Sequence, residues 1–195
     1  VELTRAISED AGAAIPDSVE RLLASRIDQL DPASRLYVRM ASVLGLEATV
    51  AEVEAVVQAE APGLEPDLAS LGHILEPRGK NRIGFSNALY RDAAYEGLPY
   101  KRRRRLHRVV AEYLELSFDE ETAAAASASL LSLHYAEAGV HPKAWAYGVL
   151  AGDLARMQWA SQNAAAAYTR ALQSASRIRA VSYTHLTLPT KPFGW

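Results

Sequence analysis

The sequence contains no cysteine, so neither a disulfide framework nor thiolate chemistry is open to it. It also lacks an apolar run of membrane length. The longest uncharged stretch, Thr122 to Ala136, is broken by three serines, a histidine and a tyrosine, and falls short of the roughly 20 apolar residues that a bilayer-spanning helix needs. No glycine-rich loop ending in Lys-Ser/Thr is present, which removes the commonest backbone cradle for nucleotide phosphates. The five histidines, His73, His107, His134, His141 and His185, show no metal-ligand spacing; the nearest two, His134 and His141, fall on either side of a break at Gly139. No carboxylate pair or nucleophile–base arrangement stands out, so no catalytic residue, metal or cofactor is assigned to the chain itself. With no recognisable secretory leader or membrane span, a cytoplasmic location is expected.

What is present is an alanine-rich chain of 195 residues, 49% hydrophobic and 23% charged, with 36 alanines. That is enough apolar material for one or two cored domains, and it excludes global disorder. The net charge of −2 conceals a segregation. Residues 1–77 carry 14 acids and 5 bases, residues 78–108 carry 10 bases and 2 acids, and residues 109–180 carry 7 acids and 5 bases. The alanines stop at Ala180, and the last fifteen residues hold three threonines against four in all the rest. The string Val181-Ser-Tyr-Thr-His-Leu-Thr-Leu-Pro-Thr190 resembles ten translated codons of a transposase-type sequencing adapter. Residues 181–195 are therefore expected to be a non-native tail, with natural sequence ending near Ala180.

Helical signals dominate. Ile15-Pro16-Asp17-Ser18 opens a first helix with apolar positions at Val19, Leu22, Leu23, Ile27 and Leu30. Asp31-Pro32 ends it and caps a second, which runs through Leu36, Met40, Val43 and Leu44 to Gly45. Thr49 and Glu52 form a capping box for a third. A short helix from about Glu65 is expected to present Leu68, Leu71 and Leu75. Residues 74–77 and 82–85 then read as a β-hairpin around Arg78-Gly79-Lys80-Asn81, with Pro77 confining its strand to an edge. Three or four helices followed by a hairpin make a winged-helix pattern. From Asn87 the chain is helical again, through a basic helix carrying Leu106, Val109, Val110, Tyr113 and Leu114. After the acidic break Asp119 to Glu121 come alanine-rich segments at about 123–138, 142–157 and 161–179. Ala144 to Tyr147 and Ala165 to Tyr168 echo one another at half-repeat spacing, as in a helical-hairpin solenoid of tetratricopeptide type. The expected fold is thus mainly α: a winged-helix domain over 15–98, a basic connector helix over 99–118 and tetratricopeptide-like repeats over 119–180.

Three segments carry a family likeness. They are Ile15-Pro-Asp-Ser-Val-Glu-Arg-Leu-Leu-Ala-Ser-Arg-Ile-Asp-Gln-Leu30, then Ala41-Ser-Val-Leu-Gly45, and Phe85-Ser-Asn-Ala-Leu-Tyr-Arg-Asp-Ala-Ala-Tyr-Glu-Gly-Leu98 with Arg102 to His107. Together they resemble the region after the ATPase core in bacterial STAND-type signalling ATPases. Members of that family carry an adenylate/guanylate cyclase domain in front or a LuxR-type DNA-binding domain at the end. The resemblance implies that residues 1–14 are the end of an upstream ATPase module, which would bind ATP or ADP with Mg elsewhere in the parent protein. It makes this chain a non-catalytic regulatory arm, whose partners are that core and a protein or small-molecule effector on the repeats. A LuxR-linked arm and a repeat scaffold without nucleotide dependence are the alternatives.

Two candidate sites follow. Asn87 aligns with a family position usually occupied by histidine, where the side chain reaches the β-phosphate of bound ADP. A helix N-terminus suits an anion, and Asn87 can donate from its amide but cannot be charged; an ordinary N-cap is the favoured reading of it. The run Lys101 to Arg105 with Arg108 is the sharpest charge feature. Its apolar stripe places Lys101, Arg104, Arg105 and Arg108 on the opposite face, either solvated or docked to an acidic surface. Nucleic acid is disfavoured as a partner, because the segment Glu65 to Leu75 that would enter a groove has two acids and no Lys or Arg. Trp145, Tyr147, Trp159 and Tyr168 are expected in the core of the repeats rather than around a ligand.

Overall fold

The computed structural model describes residues 17–116 and 124–184. The expected end of an upstream ATPase module at residues 1–14, the start signal at Ile15-Pro16, the acidic break at 119–121 and residues 185–195 of the tail lie outside them. Helix α1, Asp17–Asp28, buries Leu23 and Ile27 against α2 and α4. Leu22 was expected on the same stripe but is 54% exposed, because the covered face of α1 is narrower than its apolar pattern. Asp31 accepts from the backbone N–H groups of Ala33 and Ser34 and, with Pro32 in the first turn, starts α2, Pro32–Ala41. A 3₁₀ turn over Ser42–Leu44 carries the chain to Gly45 at φ 114°, a left-handed conformation that glycine adopts without a Cβ penalty.

Strand β1, Glu47–Thr49, has only three residues, too few for an alternating pattern to be visible in the sequence. Thr49 then caps α3, Val50–Glu60, in the expected box: its hydroxyl accepts from the Glu52 N–H at 3.2 Å, and the Glu52 carboxylate accepts from the Thr49 N–H at 2.7 Å. The helix expected from Glu65 is absent. In its place is a 3₁₀ turn over Leu68–Leu71, capped by Asp67, in which Leu71 is buried and Leu68 is 61% exposed. Leu75 belongs to the following strand, so the chain must extend just where a longer helix would continue. Strands β2, Leu75–Pro77, and β3, Arg82–Phe85, form the hairpin. The sheet order is β1-β3-β2, antiparallel throughout, with Pro77 on the edge strand. Helix α4, Ala88–Glu96, follows at once and buries Tyr90 and Ala94. These elements form the first of two units, residues 1–98; Val38, Met40, Val53, Val56, Leu71 and Ile74 make its core.

The second unit covers residues 99–195. Its helices are α5, Tyr100–Leu116, α6, Ala125–Glu137, α7, His141–Met157, and α8, Ser161–Thr184. Each of α6 and α7 packs on the next helix, and α5 packs on α6. The close approach relies on small residues. A side chain added at Gly148 would meet Ala171 and Ser132, and one at Gly152 would collide with the Tyr168 ring. Alanines 128, 144, 151, 155, 164, 167 and 171 are buried, while Ala165 is exposed, so the two echoing segments do not bury equivalent positions. The aromatic expectation is corrected in part. Tyr147 and Tyr168 are half-buried, but Trp145 is 47% and Trp159 93% exposed, because the α7–α8 contact is filled by alanine and glycine and leaves no room for indoles. No helix among the described residues is long and apolar enough to cross a membrane.

Candidate functional site

Asn87 caps α4. Its side-chain oxygen accepts from the Tyr90 N–H at 3.0 Å, and the residue is exposed. The first-turn N–H groups around it point to the helix N-terminus, where an anion is favoured, but the carboxamide oxygen is already occupied by the cap. Of the basic run, Lys101, Arg104, Arg105 and Arg108 are all exposed on α5, and the buried face of that helix is Leu106, His107, Val110 and Ala111. Arg104 lines a cleft. Its guanidinium donates to the Ala138 carbonyl at 3.1 and 3.2 Å and lies 5.8 Å from the centre of the Tyr100 ring. Gly139, with φ 74°, ends α6 and leaves the space that this guanidinium fills.

The cleft has a volume of about 870 Å³ and lies within the second unit. Four helices supply its walls: Tyr100 and Arg104 from α5, Glu137 from α6, His141 from the start of α7, and Arg170 and Arg177 from α8. Arg170 is held by the carbonyl and hydroxyl oxygens of Ser129 at 3.2 and 3.1 Å. His141 titrates below its ordinary value because burial penalises the imidazolium and because Arg177 and Arg104 repel it. Its Nδ1 is buried with no hydrogen-bond partner among the described residues. No side chain caps the first turn of α7. Three guanidinium groups, an imidazole and one carboxylate thus converge on one polar space. No local motif flags Arg170, Arg177 or His141; His141 lies 29 and 36 positions before the two α8 arginines, and only the α7–α8 packing brings it to them.

Two further clusters escape sequence reasoning. Glu115 on α5 accepts from Tyr135, from Tyr147 at 2.7 Å and from Lys143 at 2.7 and 3.0 Å, and the two tyrosine rings stack with centroids 5.8 Å apart. Burial works against the Glu115 carboxylate, but hydrogen bonds from Lys143, Tyr135 and Tyr147 outweigh it and hold the group below its ordinary value. His107 and His134, which the sequence separates by 27 positions, are buried with their Nδ1 atoms 2.9 Å apart. His134 and His141 are nearest along the chain, but the fold pairs His134 with His107 instead. No group of three or more potential metal ligands occurs among the described residues. In a second hollow of about 400 Å³, in the first unit, Arg39 and Asp28 pair at 2.7 Å beside Ile27 and Leu89. Compared with known proteins, the chain matches no family model, no curated protein and no solved structure.

Proposed function

We propose that this chain is the regulatory arm of a STAND-type signalling ATPase, with a winged-helix unit followed by tetratricopeptide-like hairpins. The observation that carries the reading is the strand order β1-β3-β2, with β1 inserted before α3 and with α4 beginning two residues after β3. In a winged helix the strand between the early helices pairs with the last strand of the wing, so this order agrees with the resemblance; the step from fold to function is an analogy. In this reading the first unit holds the nucleotide-binding core in its ADP state, Asn87 lies at the nucleotide, and an effector on the helical hairpins shifts the population towards release. Output through a cyclase domain is favoured by the likeness.

Groove binding to DNA is disfavoured by geometry as well as by charge. The element in the recognition position is a four-residue 3₁₀ turn with Asp67 at its start, too short to reach base edges and repelled by phosphate. The reading is tested by the coding sequence upstream of residue 1. A phosphate-binding loop and acidic magnesium motif there support it, and their absence leaves a repeat scaffold without nucleotide dependence. In the full-length parent, Asn87→Ala is expected to speed ADP release several-fold, measured with a fluorescent ADP analogue. Unchanged release assigns Asn87 to the helix cap alone.

A further inference from the structure

The geometry points to the cleft of the second unit as a binding site for a tetrahedral dianion, the phosphoryl or sulfuryl group of a small ligand. Among the described residues its walls carry Arg104, Arg170 and Arg177 against one carboxylate, Glu137. Planar guanidinium forks match the oxygens of a tetrahedral oxyanion, and three of them exceed what one carboxylate in the wall neutralises. Two of the three are fixed before any ligand arrives: Arg104 by the Ala138 carbonyl and Arg170 by Ser129. That leaves the remaining N–H donors of each fork oriented rather than free to collapse, which lowers the ordering cost of binding. His141 lines the same cleft at the start of α7, a helix end that no side chain caps and whose partial positive charge also favours an anion.

The cleft's volume of about 870 Å³ exceeds what one oxyanion fills and accommodates the organic remainder of a small phosphorylated ligand beside Tyr100 and Gln173. This inference does not rest on the ATPase reading. It concerns only side chains of residues 99–195 and is measured on this chain by itself.

The titratable and charged groups that line the cleft with His141 are, among the described residues, Tyr100 and Arg104 from α5, Glu137 from α6, and Arg170 and Arg177 from α8. Its proton affinity is lowered by burial and by Arg177 and Arg104. A dianion placed among the guanidinium groups offsets their excess positive charge and so stabilises the imidazolium. Binding and protonation of His141 are therefore linked: the anion raises the His141 pKa, and lower pH tightens the anion.

The test is calorimetric titration of the 195-residue chain with inorganic phosphate, and with sulfate, whose charge is constant across the relevant pH range. NMR titration of the His141 ring accompanies it, with and without sulfate. Expected are saturable one-to-one binding of both anions, an upward shift of the His141 midpoint with sulfate, and a loss of affinity of about tenfold or more in Arg177→Gln. Arg177→Lys recovers part of the loss, since charge returns without the fork. Arg108→Gln, outside the cleft, leaves binding unchanged. Circular dichroism of each variant confirms that the helices persist. The proposal is overturned by the absence of saturable binding, by equal losses in Arg177→Gln and Arg108→Gln, by succinate binding as tightly as phosphate, or by a His141 midpoint that sulfate does not move. A phosphate-binding loop found upstream of residue 1 alongside any of these results sinks the cleft and spares the ATPase arm; the converse pair of results does the opposite.

Discussion

Glu115 accepts from three donors on two helices, and so ties the C-terminal end of α5 to α6 and α7. Its pKa in the folded chain lies below the ordinary 4.5. A group of this kind contributes stability that is fully present above the unfolded value and is lost as pH falls through the folded one. Lys143, raised above 10.5 chiefly by the same carboxylate, contributes in the opposite sense: its share is present at neutral pH and is lost only in strong base. Glu115→Gln is expected to cost about 1–2 kcal/mol at about pH 7, since the pair is partly solvated and screening limits its worth. The wild-type and variant urea midpoints converge in acid, once pH has fallen below the lowered folded-state pKa of Glu115 and the carboxylate is protonated in both states. Midpoints that stay apart at that pH would assign the loss to packing of the tyrosine stack instead.

Helices α6 and α7 end in the same way. The Val140 N–H bonds the Tyr135 carbonyl at 2.8 Å around Gly139, and the Ala160 N–H bonds the Ala155 carbonyl at 2.9 Å around Trp159. Both reversals place the intervening residue in the left-handed region, with φ 74° at Gly139 and 60° at Trp159. Glycine bears this at no steric cost, whereas tryptophan carries a penalty of about 1 kcal/mol and gains no burial in return. Trp159→Gly is therefore expected to raise the thermal midpoint of the second unit, followed by far-UV circular dichroism; a lower midpoint would show that the exposed indole packs in solution. Element boundaries such as these were legible wherever a cap or stop residue acts locally. Asp31-Pro32, the Thr49–Glu52 box, Asn87 and Gly139 each mark their helix end within a few residues. Strand β1 and the 3₁₀ turn at Leu68–Leu71 were not legible, because three-residue pairing and the need to enter β2 are imposed from outside the segment. The cleft was hidden for the same reason. Arg104 is visible in the sequence as part of a charge run, but Arg170 and Arg177 are ordinary helix arginines until α8 returns past α6 and α7.

The two units each hold a core of their own: Val53, Val56, Met40 and Ile74 in the first, and Leu131, Tyr135, Ala144 and Ala151 in the second. The charge segregation follows the same division only loosely, since the basic stretch 78–108 spans the boundary at residue 98. Separate cores imply that a cavity in one leaves the internal contacts of the other intact. The tryptophans make this measurable, because Trp145, Trp159 and Trp195 all fall in residues 99–195 and the first unit has none. Val53, fully buried on α3, is the probe. Val53→Ala removes two methyl groups and leaves a void, at a cost of about 2–3 kcal/mol. The expected result is that the far-UV urea transition broadens or splits, as the first unit melts earlier, while the tryptophan fluorescence midpoint stays where it was. A fluorescence midpoint that falls together with the ellipticity would show instead that the two units unfold as one cooperative body. In that case an effector on the helical hairpins would act on the first unit through stability itself, with no need for two discrete domain arrangements.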